Sequence, residues 1–188
     1  LGPALPHRLV PDSVEAEWVS HRGDVVEVCL HAHADAVPGA FSATLLPSGE
    51  RLVVTTAQRA SRPATAPIGA LLHEPDGAAI RAGALGLLAE RHDLTTIDPQ
   101  IAWLSSDACV DSPFLTSFEV LDVLTLKEKL LRGWLREHDV GTLEIKVRGI
   151  DLDPAALRRR LKLAGTTSAV LIATRIAGQG RAVLARRI

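Results

Sequence analysis

Side chains able to do ionic chemistry are densest between Asp139 and Gly165, where a predicted strand and a predicted helix both carry cations. Lys146 and Arg148 are two apart on the strand, so their side chains share one face. Asp153 suits an N-cap and Pro154 the first helical position, where a missing N–H costs nothing. Arg158, Arg159, Arg160 and Lys162 follow on the helix, and Gly165 is placed to close it in the left-handed conformation. Arg158 and Lys162 lie one turn apart, whereas Arg159 projects about 100° away from Arg158. A basic strand beside a basic helix fits a phosphate backbone. A solvated helix whose cations favour the negative end of the macrodipole fits the same residues. With Arg175 added from the next strand, the candidate RNA-binding residues are Lys146, Arg148, Arg158, Arg159, Lys162 and Arg175. Arg181, Arg186 and Arg187 lie in the same segment. Gripping a polyanion requires these charges to converge on one solvent-facing surface. The nearby aromatics, Phe114, Phe118 and Trp134, read as core or loop anchors, so binding would be led by charge and shape.

Other constellations are weaker. His31-Ala32-His33-Ala34-Asp35 puts three ligand-type side chains on one strand face, as in the H-x-H-x-D motif of zinc hydrolases. The histidine that should follow is Ala36, and no second histidine cluster appears downstream, so no metal ligand is assigned. His73-Glu74-Pro75-Asp76 has the residue types for acid–base work. It also has those of a helix entry, with Pro75 ending one segment and Asp76 capping the next. No serine has a nucleophile-elbow setting, and neither cysteine has basic neighbours. Gly178-x-Gly180 joins two predicted strands and opens no helix, so a hairpin turn explains it better than a cofactor loop. No catalytic or cofactor-binding residue is assigned.

The elements that must position these residues divide the chain in two. Across 188 residues the net charge is −1, but Leu1 to Thr116 holds 7 basic against 14 acidic residues, and Ser117 to Ile188 holds 14 against 8. That asymmetry points to an acidic partner for the second half, or to docking against an acidic neighbour. Hydrophobic residues make up 47%, which excludes disorder, and no apolar run reaches the length of a membrane span. Two cysteines without metal-type spacing, Cys29 and Cys109, and no visible signal peptide suggest a cytoplasmic setting. The chain starts at Leu1 and contains no methionine, so a piece of a longer protein is expected.

Valine-rich segments flank His21-Arg22-Gly23-Asp24 and predict a hairpin; the turn accounts for the Arg-Gly-Asp triplet without an adhesion role. A second hairpin is expected over Phe41–Leu46 and Arg51–Thr56, a linker over Ala57–Pro67, and a helix over Asp76–His92. Ile101–Ser105 reads as a strand. The second half reads as a strand over Ser117–Leu124, a helix to about His138 opened by a Thr125/Glu128 capping box, and a strand over Thr142–Arg148. A helix over Pro154–Leu163 follows, then two strands, Thr167–Ile176 and Arg181–Ile188. Leu126, Leu130, Leu131 and Trp134 recur at helical spacing and are expected to face a core.

Three blocks carry a family resemblance. They are His73-Glu74-Pro75-Asp76 with Ile80-Arg81-Ala82-Gly83; Asp98-Pro99 with Trp103-Leu104-Ser105-Ser106-Asp107; and Ile145-Lys146-Val147-Arg148-Gly149 with Asp153-Pro154 and the run from Leu157 to Leu163. With these the chain resembles the C-terminal part of bacterial class I S-adenosylmethionine-dependent methyltransferases that end in a THUMP-like domain. Family members more often have tyrosine where Trp103 stands. The resemblance implies an α+β architecture: a truncated ferredoxin-like domain over residues 1–112, then a THUMP-like β-α-β-α-β-β domain over 113–188. It also implies a parent enzyme whose preceding methyltransferase domain holds S-adenosylmethionine, with no cofactor bound by this part. The family's Asp/Asn-Pro-Pro-Tyr/Phe loop has no counterpart here, since the sequence has no Pro-Pro dipeptide, asparagine or tyrosine. By analogy with THUMP domains, a structured RNA such as tRNA or rRNA is the expected partner, through the basic half and without a membrane. A structural module serving a methyltransferase with a non-RNA substrate is the alternative.

Overall fold

The valine-rich segments flanking Arg22-Gly23 form the expected hairpin. Strands β1 (Glu15–His21) and β2 (Asp24–His31) pair antiparallel, and both turn residues take positive φ, 54° and 92°. That is the backbone a two-residue hairpin turn needs. In this computed structural model, which describes residues 1–188, β1 also runs parallel to β3 (Phe41–Leu46), and β3 pairs antiparallel with β4 (Arg51–Val54). The mixed sheet has the order β2-β1-β3-β4. One face buries Trp18, Val28, Phe41 and Ala43, while Glu15 and Glu17 alternate to the other side.

The expected linker at Ala57–Pro67 begins inside a helix, α1 (Thr56–Ala60). Thr55 accepts from the Gln58 backbone N–H and the Gln58 side chain accepts from the Thr55 N–H, a reciprocal cap. Strand β5 (Leu71–Pro75) follows. The single helix expected over Asp76–His92 is two helices, α2 (Gly77–Arg81) and α3 (Leu85–His92). They break at Gly83, whose φ of 74° excludes helix, and a Cβ there would sit 3.2 Å from the Arg59 side chain.

The remaining strands are β6 (Thr95–Thr96), β7 (Leu104–Ser106), β8 (Leu115–Thr125), β9 (Val140–Arg148), β10 (Thr167–Ile176) and β11 (Gln179–Arg187). Helix α4 (Glu128–Glu137) joins β8 to β9, and α5 (Pro154–Leu161) joins β9 to β10, giving the expected β-α-β-α-β-β order. The sheet runs β6-β7-β5-β8-β11-β10-β9, with β9 and β10 parallel and β9 at the edge. One face buries Leu143, Leu171 and Leu184 against Leu131, Trp134 and Leu135 of α4 and Leu157 and Leu161 of α5. The other gathers Leu72, Ile97, Trp103, Phe118, Ile172 and Val183.

Two compact units result, both α+β. One comprises Leu1–Ala64, Glu74–Leu94 and Val110–Thr116; the other comprises Thr65–His73, Thr95–Cys109 and Ser117–Ile188. They are not divided at residue 112, because β6, β7 and most of β5 hydrogen-bond into the second sheet.

Several local expectations are corrected. The Thr125/Glu128 capping box does not form: Lys127 is the N-cap without a side-chain bond, and the Thr125 hydroxyl is buried without a partner. Glu128 instead accepts from Arg132 (3.2 Å) and Arg160 (2.5 Å). Leu130 points outward at 45% exposed, and Leu135 fills the core position. Helix α5 closes at Lys162, which itself takes the left-handed conformation (φ 52°), rather than at Gly165. Gly165 is required for a different reason: a side chain there would collide with the Asp139 carbonyl where the chain crosses the start of β9. The β10–β11 turn is built on Ala177-Gly178, both at positive φ, one residue earlier than expected.

Candidate nucleic-acid interface

Because β9 alternates, Leu143, Ile145 and Val147 lie on the side covered by α4 and α5, and Glu144, Lys146 and Arg148 lie on the other. Lys146 and Arg148 therefore share a face, but it is opposite to the one α5 covers. The six candidate cations do not form one patch.

On the strand side the charges are matched. Arg187 donates two 3.0 Å hydrogen bonds to Glu144, and Lys146 lies 3.4 Å from the same carboxylate. Both cations sit over the buried Phe118 ring, Arg187 at 5.0 Å and Lys146 at 5.8 Å from its centroid. Burial pushes the Glu144 carboxyl up, but the hydrogen bond and charge of Arg187, with Lys146, outweigh it and hold it below the usual range. Arg148 donates to the Ala102 carbonyl (2.6 Å) and lies 5.1 Å from the centre of the Trp103 ring. Arg175 donates to Gln100 Oε1 (2.6 Å) and to the Gly149 carbonyl (3.3 Å).

On the helix side, Arg158 reaches down to donate to the Leu143 carbonyl at 2.7 Å and so pins α5 to β9. Arg160 is paired with Glu128. Arg159 and Lys162 are exposed and make neither a hydrogen bond nor an ion pair. Beside Lys162, the ends of α4 and α5 frame a cleft of about 390 Å³ that also takes in Arg132 and Arg136, two cations absent from the candidate set. Their i, i+4 spacing on the polar side of α4 was the available signal.

The other constellations have structural uses. His31 Nε2 lies 2.7 Å from Glu17 Oε2, and no group of three His, Cys, Asp or Glu side chains is gathered closely enough to hold a metal ion. His73 is fully buried, with its ring nitrogens 2.9 Å from Ser117 Oγ and 2.8 Å from Ser106 Oγ. Asp76 caps α2 through the Ala78 N–H (2.8 Å). Asp98 is buried and accepts from the Gly178 N–H (2.8 Å), fastening its loop to the β10–β11 turn. Ser105 donates to the Leu71 carbonyl and Asp107 accepts from the Ala70 N–H, so this sequence block fixes the start of β5.

Residues 115–187, from β8 to β11, match the model of the THUMP domain-like family. That segment is similar to THUMP-like domains. Over 163 residues the chain is 41% identical to uncharacterized S-adenosylmethionine-dependent methyltransferases from two strains of Mycobacterium tuberculosis. The match takes in 86% of this chain and 44% of each relative, so the chain spans under half the length of the curated relatives it matches. A crystal structure assigned as a methyltransferase from Porphyromonas gingivalis superposes with a TM-score of 0.74 at 25% identity, covering 93% of this chain and 46% of that one. The α+β architecture, the THUMP-like match over residues 115–187 and the likeness to S-adenosylmethionine-dependent methyltransferases are thus established. In the THUMP-like domain itself, the unpaired candidate cations lie on the helix side.

Proposed function

We propose that this chain is the non-catalytic substrate-recognition region of an S-adenosylmethionine-dependent methyltransferase that acts on a structured RNA, tRNA or rRNA, in the cytoplasm. The observation that carries the reading is the pair Arg159 and Lys162 at the end of α5, both exposed and neither hydrogen-bonded nor ion-paired, in the segment that matches the THUMP domain-like family. THUMP domains are generally RNA-binding, and an exposed cation without a hydrogen bond or ion pair is available to a phosphate, although the charge of Arg159 also acts on the Asp153 carboxylate. Gly178-x-Gly180 leads into β11 and opens no helix, so this turn lacks the strand-to-helix setting of a glycine-rich cofactor loop. A separate domain of the parent protein would hold that cofactor, while this region sets which nucleotide reaches it.

The test is a titration of the chain with tRNA at low ionic strength. Arg159→Glu with Lys162→Glu is expected to weaken binding across RNA sequences, whereas Arg175→Gln, which removes an internally bonded cation, has a smaller effect. Failure of the wild-type chain to bind RNA would favour a structural module serving a methyltransferase with another substrate.

A further inference from the structure

Glycine inside a helix is destabilising, because it loses more backbone freedom on folding than any other residue. Gly133 stands in the middle of α4, exposed, and a Cβ built on it would meet no atom within 4 Å. Packing within the chain therefore does not call for it. Its neighbours are cationic: the i, i+3, i+7 spacing of Lys129, Arg132 and Arg136 puts them on one flank of α4, with Gly133 at its border. That flank faces α5, since Arg132 and Arg136 line the same cleft as Lys162. Arg159 stands exposed on α5 itself. Glu128, the carboxylate among them, accepts from both Arg132 (3.2 Å) and Arg160 (2.5 Å), one anion against two cations. Glu137 lies one turn beyond Gly133, on the border away from α5.

RNA bound as a single strand is held by aromatic rings on which its unpaired bases stack. This chain has no tyrosine, and its three tryptophans and three phenylalanines are all buried, Trp134 at 8% being the most exposed. His138 has an exposed ring, but Trp134 stacks against one face of it, 3.8 Å between centroids. The outer side of α4 and α5 offers instead charge on two helices and, at Gly133, a place where no side chain stands in the way. A double helix matches that offer: its bases are paired inward, and its sugar–phosphate backbone is what a protein meets first.

We propose that the α4 flank at Gly133, with Lys129, Arg132 and Arg136 and with Arg159 and Lys162 from α5, seats the sugar–phosphate backbone of a paired RNA stem. The stem approaches most closely at Gly133. The assignment rests on the RNA reading above and narrows it to the double-helical part of a structured RNA. Compensation of the macrodipole accounts for cations near the C-terminal ends of the two helices. It accounts neither for Lys129, in the first turn of α4 where a cation is unfavourable, nor for the glycine.

The experiment titrates the whole chain, at one ionic strength, with two RNAs of equal nucleotide number: a hairpin paired throughout its stem and an unstructured oligouridylate. The hairpin is expected to bind about tenfold more tightly, because a duplex concentrates the phosphate charge from which bound cations release counterions. Gly133→Leu should raise the urea midpoint, leucine being the better helix former, yet lower hairpin affinity about tenfold by holding the backbone off. Lys129→Glu with Arg136→Glu, which keeps Gly133, should lower hairpin affinity as well. If Gly133→Leu lowers the midpoint instead, the charge variant decides alone. Unchanged hairpin affinity in either variant overturns the seat on α4 and leaves the RNA reading standing. Oligouridylate bound as tightly as the hairpin overturns the choice of paired RNA. Binding to neither RNA overturns both proposals.

Discussion

Asp153 accepts from the Ala155 (2.8 Å) and Ala156 (3.1 Å) N–H groups at the start of α5. The Ala156 and Ala155 bonds hold its carboxyl below the usual range. Asp153→Ala should lower the urea midpoint without changing the slope of the transition; an unchanged midpoint would remove the cap from the account. At the opposite extreme, α4 begins at Lys127, extended (φ −90°, ψ 118°) and without a capping side chain. Lys127→Asp should therefore stabilise the chain by about 1 kcal/mol, read as a higher midpoint. The Asp153-Pro154 start was legible because everything it needs is local. The Thr125/Glu128 box was misread because Thr125 is the last rung of β8, paired opposite Arg181 of β11, and a sheet ladder overrides a local cap. The genuine box at Thr55 and Gln58 sat unnoticed in a segment whose composition looked like linker.

The first sheet carries its own polar scaffold on β1. Glu15 is buried and accepts from Ser42 Oγ (2.7 Å), the Val37 N–H (3.1 Å) and Arg51; Glu17 accepts from Thr44 Oγ1 (2.5 Å) and lies beside His31 and Arg51. Burial pushes both carboxyls up, yet the hydrogen bonds and cations outweigh it and hold both below their ordinary value of 4.5. A depressed folded-state pKa stabilises the fold above the unfolded value, and that contribution is lost as pH falls below 4.5 through the folded value. The melting temperature should drop on acidification through this window, and Glu15→Gln with Glu17→Gln should flatten the drop while lowering stability at neutral pH. A wild-type profile no steeper than the variant's would contradict the assignment. In the second sheet, the alternation that groups Lys146 with Arg148 also groups Leu143, Ile145 and Val147. Helix α5 must bury Leu157 and Leu161 on the apolar side, so the separation of strand cations from helix cations was already written in β9. The charge partners were not: Glu144 meets Arg187 across 43 positions of sequence, and only the closed sheet brings them together.

Over the whole molecule, the order of elements along the chain was legible within the last 72 or so positions and poorly legible before them. The THUMP-like domain builds its core from elements consecutive in sequence, whereas β5, β6 and β7 reach it from the first half through long-range pairing. The basic excess of the second half is likewise only partly available: Arg132, Lys146, Arg160, Arg186 and Arg187 face carboxylates, while the side chains of Lys127, Lys129, Arg136, Arg159 and Lys162 are exposed without a hydrogen bond or ion pair. The measurement that tests this most directly is the salt dependence of tRNA affinity, with and without Arg159→Glu and Lys162→Glu. A polyanion held by uncommitted cations gives a log–log line of negative slope, and the double variant should make it shallower by about two, roughly one unit per lost phosphate contact. A wild-type slope near zero, or one the substitutions leave unchanged, would contradict it.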